Sequence, residues 1–334
     1  MPKPSDSVGG RDLRSLPKAH LHVHLDGAMR LTTLRELAAR DGLAVPDMRR
    51  YGSFAAFGEA IGAAADVIQS EGDLRRLVRE VVKDAERDGV VWLELSVWPG
   101  FLRGRLGSIP DVVALLLNAG EQATAGSTVE IGWMLAANRN RGPAEAIELA
   151  HLGAELVGAG VVSFGLDGDE AAFPPDAFAD AFSIAKRGEL LSTPHAGELL
   201  GAPSVRAALE LLGADRILHG IRAVEDRALL QHLAESGTCL DVCPSSNVLL
   251  GIVPDVDLHP LPALLRAGVK CSLNADDPLL FSVGILEEYE LARDRLGLTD
   301  YQLADVARAS LEASAAPPSL LRDGLRKIDQ WVRM

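Results

Sequence analysis

The sequence predicts an α/β protein, a single (β/α)8 TIM barrel with an extra N-terminal segment and C-terminal helices. Short apolar segments alternate with helical segments along the chain, and eight such units can close a parallel sheet into a barrel. The length of 334 residues is ordinary for one barrel, so a second domain is not required. The hydrophobic content of 48% is mostly Ala, Leu and Val, which suits parallel strands covered by helices.

The predicted elements follow one another in strict alternation. The first strand runs through the histidine-rich segment that begins at Ala19, and the other seven cover residues 90–97, 129–136, 161–166, 190–194, 216–219, 238–242 and 270–273. Helical spacing of apolar residues predicts helices over residues 31–40, 51–69, 73–88, 111–122, 144–156, 178–186, 205–212, 227–236 and 261–267. The tail from 286 to 332 is also predicted to be helical.

Composition restricts the partners of this chain. The formal net charge is −14, and no basic stripe is available to displace counterions from a nucleic-acid backbone. No apolar run is long enough to cross a bilayer, and residues 1–10 lack the apolar part of a secretory signal. We therefore expect a cytoplasmic protein that binds a small molecule, with no nucleic acid and no membrane as partner.

The domain organisation is expected to be simple. Residues 1–12 are predicted to be a flexible N-terminal tail, and residues 13–334 to form one domain. Cys239, Cys243 and Cys271 lie in apolar strand-like segments and are expected to be reduced core residues. The sequence does not specify the oligomeric state.

The segment AHLHVHLDG at residues 19–27 is the most informative part of the chain. Period-two alternation predicts a strand with His20, His22 and His24 on one face and Asp26 just beyond it. Same-face neighbours are about 6–7 Å apart, so two of these imidazoles can bind one divalent metal ion. Barrel enzymes have their sites at the C-terminal ends of the strands, which favours His22 and His24. His20 in place of His24 remains an alternative.

Polar clusters follow four other predicted strands: DGDE at 167–170, HAGE at 195–198, HG at 219–220 and NADDP at 274–278. Because the C-terminal ends of parallel strands meet at one rim of a barrel, we expect these clusters to surround one site.

This rim can supply a zinc site with an open position for water. His22, His24 and His195 provide the imidazoles, and Asp276 provides the carboxylate. No lysine ends the fourth strand, where two-metal barrels carry a bridging lysine, so we expect one Zn²⁺ per chain.

Three apolar residues of the segment 51–69, Phe54, Phe57 and Ile61, recur at helical spacing. They predict either a buried helix face or an apolar lid over a substrate pocket at the end of the first strand.

Five motifs together carry a family resemblance. HVHLDG, HAGE, RIxHG, CPxSN and SLNxDDP occur in this order between residues 16 and about 285, and they resemble the adenosine deaminase family of the amidohydrolase superfamily. The resemblance implies a (β/α)8 barrel that holds one Zn²⁺ and hydrolyses the 6-amino group of an adenine nucleoside. The expected substrates are adenosine and 2′-deoxyadenosine, which give inosine or 2′-deoxyinosine and ammonia.

The resemblance also implies roles for single positions. The positions that resemble zinc ligands are His22, His24, His195 and Asp276. Glu198 resembles the acid that protonates purine N1, and His219 resembles the histidine that orients and deprotonates the attacking water. The chemistry agrees, since attack at C6 loads electrons onto N1 and a carboxyl group with a raised pKa can protonate that nitrogen.

Other positions are expected to contact the substrate. Asp277 resembles the carboxylate that faces N7, and Gly168 resembles the backbone donor that faces N3. His24 is also expected to contact the substrate. Asp26 resembles the residue that accepts a hydrogen bond from a ribose hydroxyl. A carboxylate at that point would repel a 5′-phosphate, which disfavours a nucleotide.

The chain departs from the family pattern in a few places. It reads GLDGDE at residues 165–170 where the family usually has DLAGDE, and it has His20 and Ala275 where Glu and Thr are common. Alternatives therefore stay open. Relatives act on adenine, 6-aminodeoxyfutalosine, methylthioadenosine or N6-methyl-AMP, and a metal-binding barrel without catalysis is a more remote alternative.

Overall fold

The structure is a computed structural model that describes residues 10–48, 51 and 53–334. Its centre is one sheet of eight parallel strands in the order β1 to β8. The strands are β1 (Lys18–His24), β2 (Val90–Val97), β3 (Glu130–Asn138), β4 (Val161–Asp167), β5 (Leu191–Ala196), β6 (Arg216–His219), β7 (Cys239–Val242) and β8 (Cys271–Leu273). This order confirms the predicted barrel.

Helices surround the sheet. They are α1 (Leu31–Asp41), α2 (Phe54–Ala65), α3 (Glu71–Arg87), α4 (Ile109–Thr124), α5 (Pro143–Glu155), α6 (Ala179–Arg187), α7 (Ala202–Leu212), α8 (Arg227–Ser236), α9 (Pro244–Leu249), α10 (Leu261–Arg266), α11 (Pro278–Phe281), α12 (Ile285–Asp294), α13 (Asp300–Glu312) and α14 (Pro318–Arg333). None of these helices in the described part of the chain is long and apolar enough to span a membrane.

Local sequence explains where individual helices begin and end. Ser70 and Asp73 form a capping box at the start of α3, where each side chain accepts the backbone N–H of the other residue. Gly42 ends α1 in the left-handed conformation, with φ of 68°. The short helices α9 and α11 were not predicted; each begins at a proline directly after the polar or cysteine residue that follows its strand.

The barrel closes between its first and last strands. The His24 N–H donates to the Asp276 carbonyl over 2.9 Å, and the Asp276 N–H donates to the His22 carbonyl over 3.1 Å. Val23 and Asp276 form the parallel bridge that joins the two edges. Closure therefore places the residues after β8 directly beside the histidines of β1.

The opposite end of the barrel is closed by a buried ion cluster. Arg216 donates to Glu94 over 2.7 Å and to Asp241 over 2.8 Å, and all three side chains are buried. The guanidinium also donates to the Ala313 carbonyl, and Glu94 accepts the Ala315 N–H, so the segment after α13 covers this end. We call Glu94, Arg216 and Asp241 the floor cluster.

Only the last three residues of the predicted N-terminal tail are described, since residues 1–9 lie outside the described part of the chain. Within those three, Arg11 donates to Asp300 and to the Val332 carbonyl. Its guanidinium carbon lies 5.6 Å from the centre of the Trp331 ring. Arg11 is thus held against α13 and α14.

Candidate active site

Four side chains at the C-terminal rim offer ligand atoms that all lie within 4.8 Å of one another: His22, His24, His195 and Asp276. The Nε2 atoms of His22 and His195 are 3.1 Å apart. Asp276 Oδ1 lies 3.1 Å from His22 Nε2 and 3.3 Å from His24 Nε2. We call these four residues the metal group.

The outer nitrogens of these imidazoles show that the group suits a cation. The Nδ1 atom of His22 lies 3.2 Å from the Asp241 carbonyl, which can only accept a hydrogen bond. The proton of His22 therefore sits on Nδ1, and the lone pair of Nε2 faces His195. Lone pairs and a carboxylate that converge at 3.1–3.3 Å fit a bound divalent metal ion.

Asp167 is a residue of the site that the sequence analysis did not assign. Its Oδ1 lies 3.1 Å from His195 Nδ1, and its Oδ2 lies 3.6 Å from His24 Nδ1. The 3.1 Å pair is not aligned as a hydrogen bond, so both of its atoms are buried without one. Carboxylates that face the outer nitrogen of ligating histidines orient those rings. The signal was available, since Asp167 ends β4 where the chain departs from the family motif.

His20 lies outside the metal group. Its Nε2 accepts the Ala275 N–H over 3.1 Å, and its side chain lines a separate cavity between α1, α3 and α12. The register of β1 against β2 shifts between His20 and Val23. The group of four thus forms with His24 and not with His20.

Two residues of the site have strained backbones. His219 and Asp276 have φ of 64° and 60°, a region that residues other than glycine rarely adopt. Four non-glycine residues in the described part of the chain have positive φ, and two of them are at this rim. Strain of this kind is typical of functional positions.

Glu198 and His219 stand beside the metal group, with Glu198 Oε1 3.6 Å from His219 Nε2. Burial, and then the charges of Asp276 and Glu170, raise the pKa of Glu198 well above its ordinary value. Burial, and then the neighbouring His22, hold the pKa of His219 well below its ordinary value. Both shifts favour the uncharged forms, the protonated acid of Glu198 and the neutral imidazole of His219.

A chain of hydrogen bonds determines which nitrogen of His219 carries the proton. The Leu261 N–H donates to His259 Nδ1 over 3.1 Å, so His259 Nε2 carries its proton and donates to Asn247 Oδ1 over 3.1 Å. The Asn247 amide nitrogen then donates to His219 Nδ1 over 3.3 Å. His219 consequently presents an Nε2–H to the metal group, since Glu198 and Asp276 both lie on its Nε2 side.

Asp277 is fixed in place but is not fully paired. Its carboxylate packs on Gly27, where a Cβ atom would lie 1.7 Å from Oδ1, so only glycine fits. Oδ1 is buried without a hydrogen-bond partner among the described residues. Burial and the charge of Asp276 raise the pKa of Asp277 well above its ordinary value. For Asp276 itself, His22 and His24 outweigh burial and hold the pKa well below that value.

A cavity of about 490 Å³ opens onto this group. Asp26, on a short 3-10 helix after β1, and Gly168, after β4, both line it. The predicted apolar residues of α2 line it as well: Phe54, Phe57 and Ile61. The helix thus covers the cavity as the lid interpretation expected. Trp98, Asn138 and Asn140 complete the wall and were not predicted.

Acidic side chains predominate in the wall of the cavity. Seven carboxyl groups line it, and none of the described lining residues is lysine or arginine: Asp26, Glu59, Asp167, Asp169, Glu198, Asp276 and Asp277. Burial raises the pKa of Asp26 above its ordinary value. The described lining therefore offers no basic side chain that could pair with an anionic ligand.

Comparison with known proteins identifies the family. The adenosine deaminase family model matches residues 17–331. A Streptomyces coelicolor protein provisionally named adenosine/adenine deaminase is 41% identical over 337 residues, with 96% of this chain and 98% of that protein covered. An aminodeoxyfutalosine deaminase of Streptomyces avermitilis is 37% identical, with 92% and 90% covered.

A solved structure agrees with these sequence matches. The adenine deaminase of Arthrobacter aurescens superposes with a TM-score of 0.88 at 28% identity, covering 95% of this chain and 99% of that one. The residues that the family model matches, 17–331, include all eight strands of the barrel. The chain belongs to the adenosine deaminase family and is a hydrolytic deaminase.

Proposed function

We propose that this enzyme hydrolyses the 6-amino group of adenosine and 2′-deoxyadenosine to give inosine or 2′-deoxyinosine and ammonia. The observation that carries the proposal is that one cavity contains the metal group, the buried acid Glu198 and the rim carboxylate Asp26. Deamination needs the first two, and recognition of a ribose needs the third.

We assign Zn²⁺ to the metal group. Three imidazole nitrogens and one carboxylate oxygen are the donors of a catalytic zinc site, which keeps a position open. When bound, zinc lowers the pKa of a water molecule so that hydroxide is available at neutral pH.

Glu198 is the proton donor in this proposal. As the oxygen of water bonds to C6, electrons move onto N1, and the protonated carboxyl of Glu198 transfers its proton there. The first proton lost by the water restores Glu198, and the second leaves with the amino group when the C6–N bond breaks. One water is consumed, and the products are the 6-oxopurine and ammonia.

His219 and Asp277 orient the reactants. The Nε2–H of His219 can donate to the oxygen of the attacking water, and this supports the orienting part of its predicted role. The raised pKa of Asp277 favours its protonated form, which can donate a hydrogen bond to N7 from Oδ1, the atom without a hydrogen-bond partner among the described residues. Gly168, on the opposite wall, supports the predicted contact with N3.

Charge favours a nucleoside over a nucleotide. A 5′-phosphate would approach the carboxylate of Asp26, with no lysine or arginine among the described lining residues to pair with it. At about 4 Å, two like charges near a protein surface repel by roughly 4 kcal/mol. Asp26 instead offers an acceptor for a sugar hydroxyl.

Adenine is the second candidate substrate, since the Arthrobacter adenine deaminase has the same fold over 99% of its length. A 5′-modified nucleoside is the third, because an aminodeoxyfutalosine deaminase is 37% identical, and methylthioadenosine belongs to the same group. A barrel that binds metal without catalysis is disfavoured, since a structural metal would not need Glu198 and His219.

The test is a substrate panel with the wild type and Asp26→Ala, read by ultraviolet absorbance with ammonia release as a control. The panel contains adenine, adenosine, 2′-deoxyadenosine, 5′-deoxyadenosine, methylthioadenosine, 6-aminodeoxyfutalosine and AMP. We expect adenosine and 2′-deoxyadenosine to have the highest kcat/KM. Asp26→Ala should lower kcat/KM for adenosine by about 10- to 150-fold, the value of a charged hydrogen bond, and spare 5′-deoxyadenosine. Equal losses on both would show that Asp26 does not bind the 5′ hydroxyl.

A further inference from the structure

Glu170 is a buried carboxylate that no step of the proposed reaction uses. It follows β4, and its side chain accepts five hydrogen bonds from the segment after β5 and the start of α7. Oε1 accepts from the Gly197 N–H at 2.6 Å and from the Ser204 hydroxyl. Oε2 accepts from three N–H groups, at 3.2, 2.7 and 3.1 Å, those of Glu198, Leu199 and Leu200.

The four amides belong to consecutive residues, 197 to 200. This segment is neither helix nor strand, so the carboxylate replaces the acceptors that regular structure would supply. Successive N–H groups that converge on one anion form a backbone nest. The path of the segment also needs Gly197, which has φ of 68° and whose Cβ would lie 2.3 Å from Val205.

A buried arginine fixes the strand just before this segment. Arg139 donates to the His195 carbonyl over 2.7 Å and to the Phe173 carbonyl over 2.7 Å. Burial lowers the pKa of Arg139, and of the nearby carboxylates Glu170 opposes that lowering most strongly. The backbone on both sides of Ala196 is thus held by groups outside β5.

From this geometry we infer that Glu170 is a positioning residue for Glu198. The carboxylate fixes the backbone N–H of Glu198 and of both its neighbours, and so determines where the acid side chain enters the cavity. The inference rests on the proposed function, in which Glu198 protonates the purine ring. A displacement of about 1 Å in a catalytic group can cost roughly 100-fold in rate.

Glu170→Gln is the variant that tests the inference. It keeps the size of the side chain but replaces one acceptor oxygen with an NH2 group, so at least two donors lose their partner. We expect kcat for the best substrate to fall by about 10- to 100-fold, with KM and bound metal unchanged. Amide hydrogen exchange of residues 197–200, measured without substrate, should become faster. An unchanged kcat overturns the inference.

A double variant separates positioning from a general loss of structure. Glu198→Gln alone should lower kcat by about 10²- to 10⁴-fold. If Glu170 acts through Glu198, then Glu170→Gln/Glu198→Gln should match Glu198→Gln within about twofold, because the two losses are not independent. Losses that multiply would show that Glu170 acts elsewhere and overturn the inference.

Two further variants keep the test decisive. If Glu170→Gln is not recovered folded, Ser204→Ala removes one of the five donors and should lower kcat by about two- to tenfold. Its effect should likewise disappear when Glu198→Gln is already present.

The matched control is Asp73→Asn. Asp73 is a buried carboxylate that accepts the Gln69 and Ser70 N–H groups at the start of α3, a helix without site residues. The Asp73→Asn variant should leave kcat unchanged.

The outcome can be told apart from failure of the proposed function. A wild type that deaminates none of the panel compounds, or a Glu198→Gln variant with normal turnover, removes the proposed chemistry. Additive losses in an active enzyme remove only the role of Glu170.

Discussion

Polar side chains occupy the interior of this barrel at two levels, and the levels differ in how completely their atoms are paired. In the floor cluster, Arg216 donates to Glu94, to Asp241 and to a backbone carbonyl, and both carboxylates have further donors. Among the described residues that line the rim cavity, three have a buried atom without a hydrogen bond: Asp167, His195 and Asp277.

The difference teaches which buried polar residues serve the fold and which serve a ligand. The floor balances one cation between two anions and needs no further partner. The rim has an excess of carboxyl and imidazole groups, and these residues line one cavity. Buried polar atoms cost free energy when they are unpaired, so the incomplete pairing around this cavity indicates a place for metal and substrate.

The largest effect should come from breaking the metal group. His195→Ala removes one of three imidazoles, so we expect loss of bound metal and of deaminase activity. The fall in metal affinity should exceed the roughly 10- to 100-fold fall that is expected when a residue that faces a metal ligand, and does not bind the metal itself, is changed. Metal analysis of the purified protein is the measurement. The control His232→Ala, at an exposed position on α8, should keep both. A full equivalent of zinc in His195→Ala would contradict this ligand set.

A change in the floor should instead affect stability. Arg216→Met leaves Glu94 and Asp241 as buried carboxylates without their cation, which should destabilise the fold by about 3–5 kcal/mol. The measurement is the midpoint of urea denaturation. Arg326→Met, in an exposed pair with Asp323, should change the free energy of unfolding by less than about 0.5 kcal/mol. A normal midpoint for Arg216→Met would mean that the floor cluster does not hold the barrel together.

The smallest of the three effects tests whether Asp167 supports the metal group or only lines the cavity on the substrate side. Asp167→Asn keeps the size of the side chain but leaves only one oxygen to face the imidazoles of His24 and His195, so metal affinity should fall by about 10- to 100-fold. Competition with a chelator measures this affinity. Asp169 accepts the Ala171 and Ala172 N–H groups and is not part of the metal group, so Asp169→Asn should bind metal normally. Equal affinity in Asp167→Asn and the wild type would assign Asp167 to the substrate side of the cavity.

Much of the fold follows from local patterns, because burial at period two or 3.6 leaves a record in the order of residues. All eight strands were predicted near their observed positions, and β2 and β6 have the predicted bounds. The expectation that polar clusters at strand ends meet at one rim also follows from the sequence, since parallel strands in a barrel end on the same side.

Only the tertiary structure decided how these residues meet. Asp167 faces the outer nitrogens of His24 and His195, and Glu170 holds the amides next to Glu198, across separations of 27 to 143 residues. The proton position on His219 likewise depends on Asn247 and His259, which the chain brings together through the short helix α9. Such contacts depend on the distances and angles at which strand ends and loops pack, and these are set by closure of the barrel. Residue types alone therefore predicted the chemistry of the site, whereas hydrogen-bond partners and ring orientations required the folded chain.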